Sequence, residues 1–460
     1  MSKKLFVFIY ACCGLLLGCN QEKRDDAVAA LGQGRLSKSN VLKMDDGFCA
    51  AGLSSLETLS FEYWDGRQLV EDFFSEEWDS RNRLSSDLVS GFFYGFQESY
   101  YIKDSCSSFS NLSSLLSTAC IDRIQLESTA KPLKICDAKE YPESSLEAAT
   151  LSAAGAMDQM QGFLKKSAPL FEANPVSILM LPDILIHKGG RFPSQSVSDN
   201  AAWVLSNRIP GISSHIALYP SSEEYLSSGR PSFWKVPWVV SHEFGHHLFY
   251  QMMPHQTRLA FAYQADIRKG LDFHQNWLMP EATARSVDQV MMASLNEAFS
   301  DLLAHYAVGG DSSQIVSLSC QFRQRDPSYA KFNDDAVKSF SRDFDSFTLD
   351  TCKIVNPNDM HTLGSVISYF WDQFIGLYGV ESVEEKGFYL LKVTSRFLNS
   401  YDAQDSSRSA IEEFILALSK VLRESFGPVN SDQCELVNEV FSDVFTEVSM
   451  EKALIDECNL

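Results

Sequence analysis

His242 and His246 bracket Glu243 in the run Val239-Val240-Ser241-His242-Glu243-Phe244-Gly245-His246-His247, and a second acidic motif, Asn296-Glu297-Ala298-Phe299-Ser300-Asp301, follows some fifty residues later. On a helix, positions i and i+4 project from one face. The two imidazoles can therefore converge on one ion with Glu243 beside it and Glu297 as a third ligand. Two histidines and one carboxylate make an open tetrahedral zinc site whose fourth position holds water. The metal lowers the pKa of that water, and a neighbouring carboxylate can take its proton. The chemistry these residues point to is metal-assisted hydrolysis.

The elements that must position them follow from pattern and punctuation. Pro237 suits the first turn of a helix and Pro254 ends it, so both histidines sit on one helix. From Gln289 to Tyr306 the apolar residues Val290, Met291, Leu295, Ala298, Phe299, Leu302 and Leu303 keep helical period, and Gly309-Gly310 supplies a stop. Glu297 and Asp301 then share a face. Upstream, Ser144 to Ala173 reads as a helix, and Val176 to Leu181, Ile184 to Ile186 and Ile212 to Tyr219 read as strands. Later helices are expected from about Gly364 to Tyr378, Ser409 to Phe426 and Cys434 to Met450. Strands before the motif helix and almost only helices after it give an α+β class: an α+β lobe over 144–254 and an α-helical lobe over 255–460.

The chain has 460 residues and 45% hydrophobic content, enough for two or three packed units. Met1-Ser2-Lys3-Lys4 followed by the apolar run Leu5 to Leu17 is short for a membrane span and reads as an export signal. Leu16-Leu17-Gly18-Cys19 closes it and resembles the bacterial lipoprotein signal. That resemblance implies a signal peptide over 1–18, lipid on Cys19 and a membrane-anchored envelope protein, with Asn20 favouring the outer membrane. An ordinary secretory signal or an uncleaved anchor is the alternative. Residues 19–45, rich in Lys, Asp, Gly and Ser, read as a flexible tether. The region 46–143 carries aromatic clusters, serine-rich turns and four cysteines but no recognised motif; structural support is its simplest role.

Setting aside Cys12, Cys13 and Cys19, eight cysteines remain: Cys49, Cys106, Cys120, Cys136, Cys320, Cys352, Cys434 and Cys458. An even set in an exported chain suggests disulfides. Pairing within each half is expected, with Cys320 to Cys352 and Cys434 to Cys458 as local staples. The net charge of −21 opposes binding to nucleic acid, and no such partner is expected.

The two motifs together resemble the thermolysin-like gluzincin metallopeptidases, whose signature is HExxH followed by a helix bearing Asn-Glu-x-x-Ser-Asp. The resemblance implies a zincin-like two-lobe catalytic unit, here with an additional N-terminal region. It implies His242, His246 and Glu297 as zinc ligands, Glu243 as general base and proton shuttle, and Asp301 as the carboxylate that orients a ligand histidine. A metal-bound imidazole normally donates its other N–H to such a group. A peptidase of this kind also needs a donor for the oxyanion. His361, in Asn358-Asp359-Met360-His361-Thr362-Leu363-Gly364-Ser365, is the candidate, just before a helix. Departures are visible: Leu363 replaces the family's asparagine, the small pair reads Gly364-Ser365, and Asn356 replaces the acidic partner, with Asp359 nearby.

The stretch from His246 to Glu297 is longer than in typical members, so Gln256 to Asp288 is expected as an inserted helical excursion or lid. Tyr250, Tyr263 and Tyr306 are available, but none matches the family's oxyanion-assisting tyrosine. Asn200-Ala201-Ala202-Trp203 resembles the edge strand that receives substrate by β-addition, although for four small or common residues a core strand or loop is the plainer reading. His247 is expected to face away from the metal, and His187, His215, His255, His274 and His305 read as structural. The expected activity is zinc-dependent endopeptidase action on peptide or protein substrate. A zinc-stabilised lipoprotein that binds without cutting, and a peptidase of peptidoglycan stem peptides, are the alternatives.

Overall fold

The computed structural model describes residues 56, 59–79, 84–106, 120–135, 145–188, 195–205, 212, 214–254, 284–311, 313–314, 360–401, 410–428 and 430–441. The chain is α+β and divides into two compact units, one of 1–162 with 173–247 and one of 163–172 with 248–460.

In the first unit the strands are β1 Ser60–Trp64, β2 Leu69–Phe73, β3 Val89–Tyr94, β4 Gln97–Ile102, β5 Ile121–Ser128 and β6 Lys131–Pro132. They continue with β7 Val176–Met180, β8 Asp183–His187, β9 Gln195–Ser196, β10 Ala201–Leu205 and β11 Ser214–Leu218. β1 and β2 form an antiparallel pair, and two open mixed sheets run in the orders β10-β11-β7-β3-β6 and β5-β4-β8-β9. β7 is buried along its whole length, as an interior strand covered on both faces should be.

The two mixed sheets share a construction. β3 pairs in parallel with β7, and β4 in parallel with β8. Each strand pair continues from one sheet into the other through a short bend, and the Asp183 N–H donates to the Phe96 carbonyl across it at 2.9 Å. At one bend Gly95 takes φ +74°, where a side chain would be strained, and at the other Leu181 takes φ +50°. Strands from 89–132 thus lie side by side with strands from 176–218 in the same sheets, joined at β3–β7 in one and β4–β8 in the other.

Helix α1, Leu146–Ser167, is buried over most of its length. Its Asp158 carboxylate, 2% exposed, accepts from the Ser75 N–H and hydroxyl, the Glu76 N–H and the Trp78 indole N–H, at 2.8 to 3.1 Å. A buried carboxylate is tolerated when its lone pairs are filled in this way. Residues 75–78 are thereby pinned to α1.

Cys106 and Cys120 form a disulfide across a separation of 14 residues, set in a core of Ile102, Ile186, Val197, Ala202, Val204, Ala217 and Tyr219. Closing a loop of that length stabilises a chain by about 3 kcal/mol. This is pairing within the first cysteine group. Cys434 is also disulfide-bonded, while Cys49, Cys136, Cys320, Cys352 and Cys458 lie outside the described residues.

His215 on β11 is 6% exposed, and burial pulls its pKa down to about 4. In the unfolded chain a histidine takes its proton near pH 6.5. Between those values the unfolded state binds more protons, so stability falls as pH drops from about 6.5 to about 4. At about 1.4 kcal/mol per pKa unit the loss is on the order of 3 kcal/mol. His215→Leu should remove that component. Urea midpoints measured at pH 7 and pH 4.5 should then differ less for the variant than for wild type; parallel losses would contradict the assignment.

The second unit is helical among its described residues. Helix α2, Glu223–Ser227, belongs to the first unit, and helix α3, Pro237–Met252, begins there and runs on into this one. Helices α4 Ala284–Ala307, α5 Met360–Gly376, α6 Val383–Ser400, α7 Ala410–Phe426 and α8 Ser431–Phe441 follow. α6 is capped by Ser382, whose hydroxyl accepts from the Glu385 N–H at 3.2 Å. The buried Tyr306 hydroxyl of α4 donates to Asp372 of α5 at 3.1 Å, and Lys386 of α6 meets the same carboxylate at 2.7 Å. One carboxylate thus ties three helices. No described helix is long and apolar enough to cross a membrane.

Candidate metal centre

Helix α3 is buried on every side from Pro237 to Phe249, although it carries His242, Glu243, His246 and His247 in two turns. Buried polar groups are costly unless each finds a partner, so the destination of each side chain defines the site. The ligand atoms of His242, His246 and Glu297 lie within 4.8 Å of one another, and all three residues are buried. Ligands 2.0–2.1 Å from a tetrahedral zinc stand about 3.3 Å apart, so the cluster is close to the size the ion requires.

Orientation within α3 is built by spacing. His242 and His246 place their rings 4.5 Å apart at 86°, and Trp238, one turn earlier, stacks on His242 at 5.3 Å and 18°. Trp238, His242 and His246 therefore form one stripe at intervals of four. His247 leaves that stripe: its Nε2–H donates to the Asn174 carbonyl at 2.8 Å, and its ring packs near Phe244 and Trp203. Burial lowers its pKa, which keeps the ring neutral. It is a packing residue, as its expected direction away from the metal required.

Glu243, 4% exposed, accepts a 2.6 Å hydrogen bond on Oε2 from the backbone N–H of Trp203. Trp203 lies in β10, at one end of its sheet's strand order and antiparallel to β11. In an antiparallel pair, residues alternate between bonding across the ladder and pointing away from it. The Trp203 N–H goes to Glu243, which assigns residues 201, 203 and 205 to the outward row. Among the described residues the strand around Ala201–Trp203 is thus both buried and terminal in its sheet, where a core strand or loop was the plainer expectation.

Asp301 lies one turn beyond Glu297 on α4 and is fully buried. Neither α3 nor residues 286–307 contain Lys or Arg. Glu243 and Glu297 are buried as well, and imidazole and carboxylate groups are donors that a divalent ion such as zinc accepts.

His361 is the second residue of α5, so it lies inside the first turn of a helix that begins at Met360 and not ahead of it. Its side chain is outside the described residues. The backbone three residues on, at Gly364, packs directly on the turn of α4 that holds Glu297. Tyr250 is partly buried in the last turn of α3, Tyr306 is bound to Asp372, and Tyr263 lies outside the described residues. So do Cys19 and most of the expected excursion from Gln256, of which residues 284–288 open α4.

Sequence reasoning missed the Trp203 N–H, because a backbone donor leaves no mark in residue type. It also missed the Trp238 stack, whose signal was present as an aromatic four residues before the first histidine.

No protein-family model matches the chain, and a search of curated proteins found no relative. The resemblance read from the two motifs thus stands on the sequence alone, and the structure adds a cluster that could hold a metal ion.

Proposed function

We propose that this chain is a zinc-dependent endopeptidase of the gluzincin type, anchored in the bacterial envelope through lipid on Cys19. The observation that carries the reading is the convergence of His242, His246 and Glu297, with Glu243 next to the first ligand in sequence. A bound zinc ion would supply Lewis acidity, lowering the pKa of water and polarising a peptide carbonyl.

The chain's own groups account for the rest. Glu243 acts as general base and then returns the proton to the leaving amine, work for which a carboxylate held in place by the Trp203 N–H is suited. Asp301 fixes the tautomer and ring angle of a ligand histidine. His361 donates to the developing oxyanion. Peptide substrate in extended form pairs with the outward row of β10, which brings a backbone alongside Glu243. The zincin-like two-lobe arrangement belongs to this proposal.

Zinc content and digestion of a mixed peptide library, with and without chelator, test it. Cleavage at internal bonds, lost on chelation and restored by zinc, is expected. Stoichiometric zinc with no cleavage of any peptide would overturn the peptidase reading in favour of a zinc-stabilised binding protein.

A further inference from the structure

We propose that Gly364 and Ser368 are positioning residues for the ligand Glu297: the seam they form on α5 fixes the place of the α4 turn that carries its carboxylate. The inference rests on the metal-centre reading above and adds the device that sets one ligand's distance.

A methyl group at position 364 would lie 2.9 Å from the Glu297 Cβ, 3.1 Å from the Ser294 carbonyl oxygen and 3.3 Å from the Ala298 nitrogen. All three obstacles belong to one turn of α4. None can be moved by a rotamer change, because two are backbone atoms and the third is a Cβ. Packed carbon atoms rest about 3.5–4.0 Å apart, so the added methyl would displace the Glu297 Cβ by roughly 0.5–1 Å. Ligand distances in a working metal site hold within about 0.2 Å. The displacement is thus several times what coordination tolerates.

Ser368 continues the same face one turn later. Its hydroxyl lies 2.9 Å from the Gly364 carbonyl and 3.3 Å from the Ala298 carbonyl, and the residue is fully buried. The seam therefore grips α4 at Ser294 on one side of Glu297 and at Ala298 on the other. Glycine is among the poorest helix formers. Its presence in the second turn of α5 is explained by this approach and not by helix propensity.

The test uses the full chain as wild type, Gly364→Ala, Ser368→Ala and Gly387→Ala. Gly387 lies on α6, and a methyl there would run into the Phe163 ring, a steric insult that does not involve the Glu297 turn. Three quantities are read: zinc affinity by chelator competition, the visible absorption bands of the cobalt(II)-substituted protein, and the melting temperature. Gly364→Ala should bind zinc about 10–100-fold more weakly and show shifted cobalt bands. Gly387→Ala should melt lower yet keep wild-type affinity and bands.

If Gly364→Ala does not fold, Ser368→Ala decides. It adds no volume and should weaken zinc binding in the same direction by a smaller factor, again with shifted bands. Wild-type affinity and bands in the folded seam variants, whatever their melting temperatures, would overturn the inference and leave the metal centre standing. A wild-type chain that binds neither zinc nor cobalt would remove the metal centre itself and this inference with it.

Discussion

Glu243→Gln should leave zinc bound and reduce kcat by about 10²–10⁴-fold, the range in which a positioned general base contributes. Glutamine keeps the size of the side chain and an oxygen to accept the 2.6 Å bond from the Trp203 N–H, so the local structure has no reason to change. It cannot accept a proton at catalytic pH. The loss should therefore fall on kcat, while metal content and the melting temperature stay near wild type. Zinc analysis and steady-state kinetics on one cleaved peptide from the library separate these quantities. A variant with normal kcat would show that Glu243 is not the proton-transfer group and that another base serves the reaction.

The second large effect is expected at the metal itself. Glu297→Ala removes one of three converging ligands and leaves two imidazoles in a buried setting. The loss of affinity should exceed the roughly 10–100-fold typical of removing an outer partner of a ligand. Activity should vanish in proportion to zinc lost and return only in part at high zinc. Competition against a chelator of known affinity measures it, and Glu243→Gln is the control that retains the ion. Unchanged zinc affinity in Glu297→Ala would mean that the third donor is another group.

The parts of this architecture that obey local rules were legible in the sequence. Pro237 and Pro254 framed the motif helix, found over Pro237–Met252, and the apolar period from Gln289 to Tyr306 lies within α4, Ala284–Ala307. The strands read at 176–181, 184–186 and 212–219 appear as Val176–Met180, Asp183–His187 and Ser214–Leu218. Residue type and i, i+4 spacing nominated His242 and His246, because metal ligation demands particular donors on one helical face, and a second acidic motif on its own helix nominated Glu297.

What the sequence did not yield depends on partners far away along the chain. The pairing of Val89 with Val176, and of Gln97 with Asp183, is parallel and more than eighty residues apart. Nothing local in 89–102 announces it. Asp158 looks like any helix aspartate until Ser75, Glu76 and Trp78 are seen to fill it. The start of α5 was read at about Gly364, whereas the helix begins four residues earlier and uses that glycine for a close approach to α4. In each case tertiary contact decided the outcome over local propensity.

X-ray absorption at the zinc edge of the wild-type protein tests the centre most directly. The prediction is one zinc per chain, bound to two imidazole nitrogens and carboxylate or water oxygens at about 2.0–2.2 Å. No zinc after loading, or nearest neighbours that include sulfur at about 2.3 Å, would contradict the joint role of His242, His246 and Glu297.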